Sequence, residues 1–146
     1  MSLPIAKVIL IDDEVGFLNI MKKRLESRDL DIQTAESGPE ALEVMGKSPD
    51  LDVAILDVKM PGMDGIETLG EIRKHFPLIE VVMLTAHATV ETAIDGMKKG
   101  AFDYLMKPCD IDKLIEIVRR AKVKKTAHEE KILQAHIQEI TNRMGG

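Results

Sequence analysis

Five short apolar segments alternate with five segments of helical spacing, and this alternation constrains the fold more than any other feature of the chain. Four apolar segments (8–11, 53–56, 81–84 and 102–106) are almost continuously apolar, which is typical of strands buried on both faces. Segment 31–35 alternates, as an edge strand does. Between the segments, apolar residues recur at three- and four-residue spacing, as at Phe17, Ile20, Met21 and Leu25. The pattern predicts five strand–helix pairs.

Such pairs predict an α/β fold: a doubly wound, five-stranded parallel sheet with helices on both faces and right-handed crossovers. The weak second strand favours the flavodoxin-like order 2-1-3-4-5. In such sheets, ligands bind beyond the carboxyl ends of the strands, at the switch point between the first and third.

Composition excludes several classes of protein. The chain carries 25 acidic against 20 basic residues, for a net charge of −5, so it is a poor candidate for direct nucleic-acid binding. Its one cysteine, Cys109, excludes an internal disulfide framework. Since no apolar run approaches the ~18 residues of a membrane span, we expect a cytoplasmic protein without a membrane segment.

Polar residues follow four of the predicted strands. The first strand is followed by Asp12 and Asp13, the third by Asp57, the fourth by Thr85 and the fifth by Lys107. Because the carboxyl ends of parallel strands share one edge of the sheet, we expect these side chains to converge.

Three converging carboxylates repel one another and need a cation. Oxygen ligands suit Mg²⁺, which takes one or two carboxylates and leaves room for a phosphoryl oxygen. A lysine would contribute a point charge and a threonine a hydrogen bond to that group. A carboxylate in this setting can act as a nucleophile and form an aspartyl phosphate.

Each residue alone also has an ordinary structural explanation. An Asp pair after a strand often forms a turn or a helix cap, and Thr85 could cap the helix that follows it. Lys107 could be a solvated surface charge. The functional interpretation depends on the residues occurring together at strand ends.

The chain resembles the receiver domain of bacterial two-component response regulators, including the chemotaxis regulators. The resemblance spans residues 5–121, and we assign residues 122–146 to a C-terminal helical extension or linker. It is carried by four stretches, namely Ile11-Asp12-Asp13-Glu14, Leu56-Asp57-Val58-Lys59-Met60-Pro61-Gly62-Met63-Asp64-Gly65, Leu84-Thr85-Ala86 and Gly100-Ala101-Phe102-Asp103-Tyr104-Leu105-Met106-Lys107-Pro108.

The resemblance implies a site and a reaction. Asp57 is the expected phosphoacceptor, with a sensor histidine kinase or phosphotransfer protein as the donor. Asp12, Asp13, Asp57 and the backbone carbonyl of Lys59 are the expected Mg²⁺ ligands. Lys107 is expected to contact the phosphoryl group. The domain would catalyse its own phosphorylation and slow dephosphorylation rather than act as an enzyme on other substrates.

The resemblance also implies a switch made by Thr85 and Tyr104, and a cis peptide bond at Pro108. On phosphorylation the threonine hydroxyl moves toward the phosphoryl group and the aromatic ring turns inward. The surface of helix 4, strand 5 and helix 5 then changes and signals to an output domain or target protein. Lys59 and His87 stand at positions that modulate phosphate lifetime in this family.

Two segments are predicted to have structural roles. In the turn after Asp57, Pro61 fixes φ, Gly62 and Gly65 permit positive φ, and Asp64 caps the third helix. Residues 119–125 form a basic run, followed by apolar residues at 4-3-4 spacing: Leu133, Ile137, Ile140 and Met144. This predicts a solvated terminal helix or a short coiled coil that forms a homodimer or joins an output domain. The sequence fits both a stand-alone receiver and a piece of a larger regulator.

Three alternatives remain open. A haloacid dehalogenase-type phosphohydrolase needs a second Asp two residues after its nucleophile, where this chain has Lys59. A flavodoxin-like electron carrier needs a phosphate loop where Asp12, Asp13 and Glu14 would repel the flavin phosphate. A pseudo-receiver would lack one of the acids or Lys107.

Overall fold

A computed structural model of the protein describes residues 3–145, and it shows strands and helices in strict alternation. The elements are β1 (Lys7–Ile11), α1 (Val15–Glu26), β2 (Asp31–Ala35), α2 (Gly38–Lys47), β3 (Val53–Leu56), α3 (Gly65–His75), β4 (Glu80–Thr85), α4 (Val90–Lys98), β5 (Asp103–Met106) and α5 (Ile111–Gly145). Among the described residues, no helix is long and apolar enough to cross a membrane.

The five strands form one parallel sheet in the order β2-β1-β3-β4-β5, which confirms the predicted fold and strand order. Strands β3 and β4 are buried throughout, and β1 is buried except for a half-buried Lys7. The prediction that segment 102–106 is buried on both faces is wrong. Strand β5 is an edge, where Tyr104 is half-buried and Met106 is 63% exposed.

Side chains along each strand alternate between the two faces of the sheet, so the hydrophobic core consists of two clusters, one on each face. In β1, Val8 and Leu10 pack with α1 and α5, whereas Ile9 and Ile11 pack with α2 and α3. This is the two-residue period of a strand covered on both faces. The helices therefore cover both faces of the sheet. They leave the carboxyl ends of the strands free to form a site.

Helix α5 runs for 35 residues, so the C-terminal extension is a direct continuation of it without a break at residue 121. Its first part packs on the sheet through residues such as Leu114 and Val118. Residues 126–145 are all exposed, a projection of about 30 Å at ~1.5 Å per residue. Gly146, the last residue of the predicted extension, lies outside the described residues.

Ion pairs connect α5 to the amino-terminal ends of the strands, on the side of the sheet opposite the predicted site. Lys125 is only 6% exposed, and its Nζ donates to Asp52 Oδ1 at 3.0 Å and lies 3.4 Å from Glu129 Oε1. The ammonium of Lys122 lies 3.6 Å from Asp52 Oδ2, and that of Lys124 lies 3.5 Å from Glu80 Oε1. The interpretation of this stretch as solvated is therefore wrong for Lys125, which is held inside an ion cluster.

Candidate metal centre

The carboxyl ends of β1, β3, β4 and β5 lie next to one another along one side of the sheet, which we call the rim. The ladder of backbone hydrogen bonds continues past the strands: the N–H of Asp12 donates to Ala35 O at 3.1 Å, and the N–H of Asp57 donates to Ile11 O at 3.0 Å. The backbone N–H of Lys107 donates to Thr85 O at 2.9 Å. The sheet itself, rather than any local sequence, thus brings these residues together.

The side chains of Asp12, Asp13 and Asp57 each offer an oxygen within 4.8 Å of the other two. Asp12 and Asp57 are buried, whereas Asp13 is exposed. The Lys107 ammonium donates to Asp12 Oδ2 at 2.6 Å and lies 3.9 Å from Asp57 Oδ2. Its side chain is only 12% exposed, so the alternative of a solvated surface charge is wrong.

These residues fit a hard divalent cation. Lys107 pairs with Asp12 and Asp57, and one ammonium is too little to balance these two carboxylates and that of Asp13. Asp57 Oδ1 is buried and has no hydrogen-bond partner within residues 3–145. An all-oxygen donor set with an unsatisfied buried oxygen suits Mg²⁺. Lys59 follows two residues after Asp57 with an exposed side chain, and the ligand role of its carbonyl stays a prediction.

The turn after Asp57 is shaped by close packing. Asp64 caps α3 by accepting from Glu67 N at 2.8 Å, and Gly62 has a φ of 75°. The expectation of a positive φ at Gly65 is wrong. Glycine is needed there because a Cβ would lie 1.9 Å from the carbonyl oxygen of Asp57. The start of α3 thus sits directly against the backbone of Asp57 and fixes its position.

Thr85 does not cap α4. It is fully buried, and its hydroxyl accepts from His87 N at 3.0 Å, while Thr89 caps the helix by accepting from Thr92 N. Tyr104 is half-buried, and its hydroxyl lies 2.6 Å from Thr92 Oγ1. The contact with Thr92 was not predicted, because only the structure shows which α4 residue faces Tyr104.

The turn that carries Lys107 contains a cis peptide bond, between Lys107 and Pro108. The ammonium of Lys107 lies 3.8 Å from the centre of the Phe17 ring. The sequence pattern identified Phe17 only as an apolar residue of α1. Its position one turn after Asp13 was a signal that it could reach the rim.

Burial raises the pKa of the Asp57 carboxyl above its ordinary value of 3.8, and the nearby Asp12 carboxylate acts in the same direction. The Thr85 hydroxyl and the Lys107 ammonium act oppositely without cancelling this effect. The folded protein therefore holds an ionised Asp57 less favourably than the unfolded chain does.

This imbalance predicts how stability depends on pH. The cost of ionised Asp57 is present in full above the raised pKa, and it disappears as the pH falls through that pKa toward 3.8. Without divalent cations, we expect Asp57→Asn to resist urea better than the wild type at pH 7, and the difference to shrink on acidification. A wild type at least as stable as Asp57→Asn at pH 7 would contradict the inference that the folded protein disfavours an ionised Asp57.

Fold and site together define a doubly wound α/β domain with an acidic centre at its switch point. The sequence profile of the response regulator receiver domain matches residues 8–119. The chain therefore belongs to the receiver domain family of two-component response regulators, which confirms the resemblance.

Named relatives support this assignment. The DNA-binding transcriptional regulator NtrC of Escherichia coli K12 is 38% identical over 115 residues, covering 78% of this chain and 24% of NtrC. A putative NtrX-like response regulator of Rickettsia typhi is 34% identical over 142 residues, covering 95% of this chain and 30% of that protein. The chain thus spans only 24–30% of the length of these curated relatives.

Solved structures agree. A receiver domain protein from Clostridium thermocellum superposes with a TM-score of 0.79 at 37% identity, covering 84% of this chain and 98% of that one. NtrX from Brucella abortus in complex with ADP superposes with a TM-score of 0.74 at 27% identity, covering 97% of this chain and 30% of that one. The alignments with the two NtrX-type proteins named here, from Rickettsia typhi and Brucella abortus, cover 95% and 97% of this chain.

Proposed function

We propose that this chain is the phospho-accepting switch of a two-component phosphorelay, in which Asp57 takes a phosphoryl group from a partner histidine kinase or phosphotransfer protein. The observation that carries the proposal is the buried, unpartnered Oδ1 of Asp57, which lies beside two further carboxylates and a lysine. Buried carboxylate oxygens usually have a hydrogen-bond partner. Among the described residues, Glu80 Oε1 also has none, but the Lys124 ammonium lies 3.5 Å from it.

The reaction is a transfer between two nucleophiles. A carboxylate oxygen of Asp57 attacks phosphorus, the bond from phosphorus to the donor's imidazole nitrogen breaks, and the imidazole leaves with the electron pair and takes up a proton from solvent. Bound Mg²⁺ would neutralise charge on the phosphoryl oxygens. Asp12, Asp13, Asp57 and the carbonyl of Lys59 would hold it, while Lys107 turns from Asp12 toward the phosphoryl group.

The switch would start at Thr85 and end on the outer face of α4 and β5. A phosphoryl group on Asp57 attracts the Thr85 hydroxyl away from His87 N, and the vacated space admits the ring of Tyr104. That movement requires the hydrogen bond between Tyr104 and Thr92 to open. This face and the neighbouring part of α5 would then signal the change.

Exposed apolar side chains on this face support a role in protein contact. They are Val90, Ile94 and Met97 of α4 and Met106 of β5. Soluble domains rarely expose several such side chains together without a partner. We assign this surface to an output domain or a target protein.

The extension of α5 would provide a second contact. Leu133, Ile137, Ile140 and Met144 are between 38% and 84% exposed, along a helix that projects from the domain. We propose that this stripe pairs with a second copy of the chain or continues into an output domain. The domain itself would act in the cytoplasm, contacting neither membrane nor nucleic acid directly.

As a switch, the domain would modify itself rather than turn over substrates. Incubation with acetyl phosphate and Mg²⁺ should add one phosphoryl group per chain by intact mass, and chelation of Mg²⁺ by EDTA should prevent the addition. The group should then be lost slowly. Absence of the addition, or sustained hydrolysis of p-nitrophenyl phosphate, would contradict the proposal and favour a phosphohydrolase.

A further inference from the structure

The ammonium of Lys107 has two different neighbours. It donates to Asp12 Oδ2 at 2.6 Å, and it lies 3.8 Å from the centre of the Phe17 ring. That distance is well within the ~6 Å at which an aromatic face attracts a cation. With only 12% of its side chain exposed, Lys107 makes this contact largely out of water, where the attraction is strongest.

The surroundings explain why a lysine here needs a second constraint. Phe17 and Lys107 line an open cleft of about 350 Å³ together with Met21, Arg24, Leu84, Ala86, Pro108 and Cys109. A lysine has a long flexible stem, and its ammonium tends to reach water when a path is open. The ring of Phe17 lines this cleft beside the ammonium, 3.8 Å from ring centre to Nζ, and so offers it a second contact.

We propose that Phe17 is a positioning residue that keeps the Lys107 ammonium at the rim and within reach of Asp57. The proposal rests on the proposed phosphoryl transfer, which requires Lys107 to change partner from Asp12 to the phosphoryl group. The 3.9 Å from its Nζ to Asp57 Oδ2 shows how small that movement is. An aromatic ring attracts a cation anywhere over its face within ~6 Å of its centre, so the ammonium, at 3.8 Å, can shift between the two acids and keep the ring contact.

Phe17 could instead matter only for packing, because it is half-buried and contacts the core between α1 and α5. The two roles separate by substitution. Phe17→Leu keeps an apolar side chain but removes the aromatic face, whereas Phe17→Tyr keeps both. Met21→Leu is a matched control, since it changes another residue of the same cleft at similar volume.

Two measurements test the proposal. With acetyl phosphate and Mg²⁺, we expect Phe17→Leu to be labelled about five- to thirty-fold more slowly than the wild type, and Phe17→Tyr and Met21→Leu to stay within about two-fold of it. In NMR spectra, the ε-methylene protons of Lys107 should show an upfield ring-current shift that Phe17→Leu removes. Lys107→Gln would assign the resonance.

The outcomes separate this inference from the proposed function. Wild-type labelling with no effect of Phe17→Leu, or an equal slowing in Phe17→Tyr, would overturn the positioning role. An absence of the ring-current shift in the wild type would overturn it too. If the wild type is not labelled at all, the proposed function fails, whereas the shift still decides whether the ring holds the ammonium.

Discussion

Replacing Asp57 with asparagine is expected to abolish phosphoryl labelling by acetyl phosphate, with a rate at least about a hundred-fold below that of the wild type. Asparagine keeps the shape of the side chain but offers a neutral amide in place of the carboxylate nucleophile. Since burial raises the pKa of the Asp57 carboxyl, the substitution should stabilise the fold rather than weaken it. Intact mass spectrometry over a time course measures the effect.

Asp50→Asn is a suitable control for this experiment. Asp50 is an exposed acid that pairs with Lys7 at the opposite edge of the sheet, so its replacement should leave labelling unchanged. Labelling of Asp57→Asn at the wild-type rate would place the phosphoacceptor elsewhere. Equal loss in both variants would point to a general effect of the substitution.

Replacing Asp52 with alanine is expected to lower the free energy of unfolding by about 3–5 kcal/mol. Lys125 is 6% exposed and donates to Asp52 at 3.0 Å, so the substitution leaves a buried ammonium without its nearest anion. The backbone N–H of Lys7 also donates to Asp52 at 2.8 Å and would lose its acceptor. Urea unfolding followed by circular dichroism measures the loss.

Two variants show whether the buried charge causes this effect. Asp50→Ala removes an exposed acid from the same end of the strands and should leave the free energy of unfolding nearly unchanged. The double variant Asp52→Leu, Lys125→Met removes both buried charges and should recover much of the stability. If Asp52→Ala costs no more than Asp50→Ala, α5 is not anchored by this pair.

The sequence predicted the sheet order and the convergence at the rim for the same physical reason. Apolar runs identify buried strands, and parallel strands place the residues that follow them at one edge, which is why Asp12, Asp57 and Lys107 could be grouped in advance. The same reasoning failed at β5. Its apolar composition predicts burial on both faces, whereas the predicted strand order already places it at an edge of the sheet, and the edge position is what leaves Met106 exposed.

Contacts between distant residues were beyond the sequence. The basic run that leads into the extension gives no sign that Lys125 is buried, because its partner Asp52 lies 73 positions away in sequence. From the sequence alone, Gly65 is expected to have a positive φ, although a close approach to the backbone of Asp57 is what excludes a side chain there. Phe17 was grouped with the core of α1, since its spacing is the same whether it contacts the core or Lys107.

If the proposed function holds, one carboxylate at the rim of the sheet, that of Asp57, accepts the phosphoryl group. Borohydride reduces an aspartyl phosphate to homoserine, so peptide mapping after treatment with acetyl phosphate, Mg²⁺ and borohydride locates the modified residue directly. We predict homoserine at position 57 and unchanged aspartate at positions 12 and 13. Homoserine at any other position, or a phosphoryl group that resists borohydride, would contradict the claim.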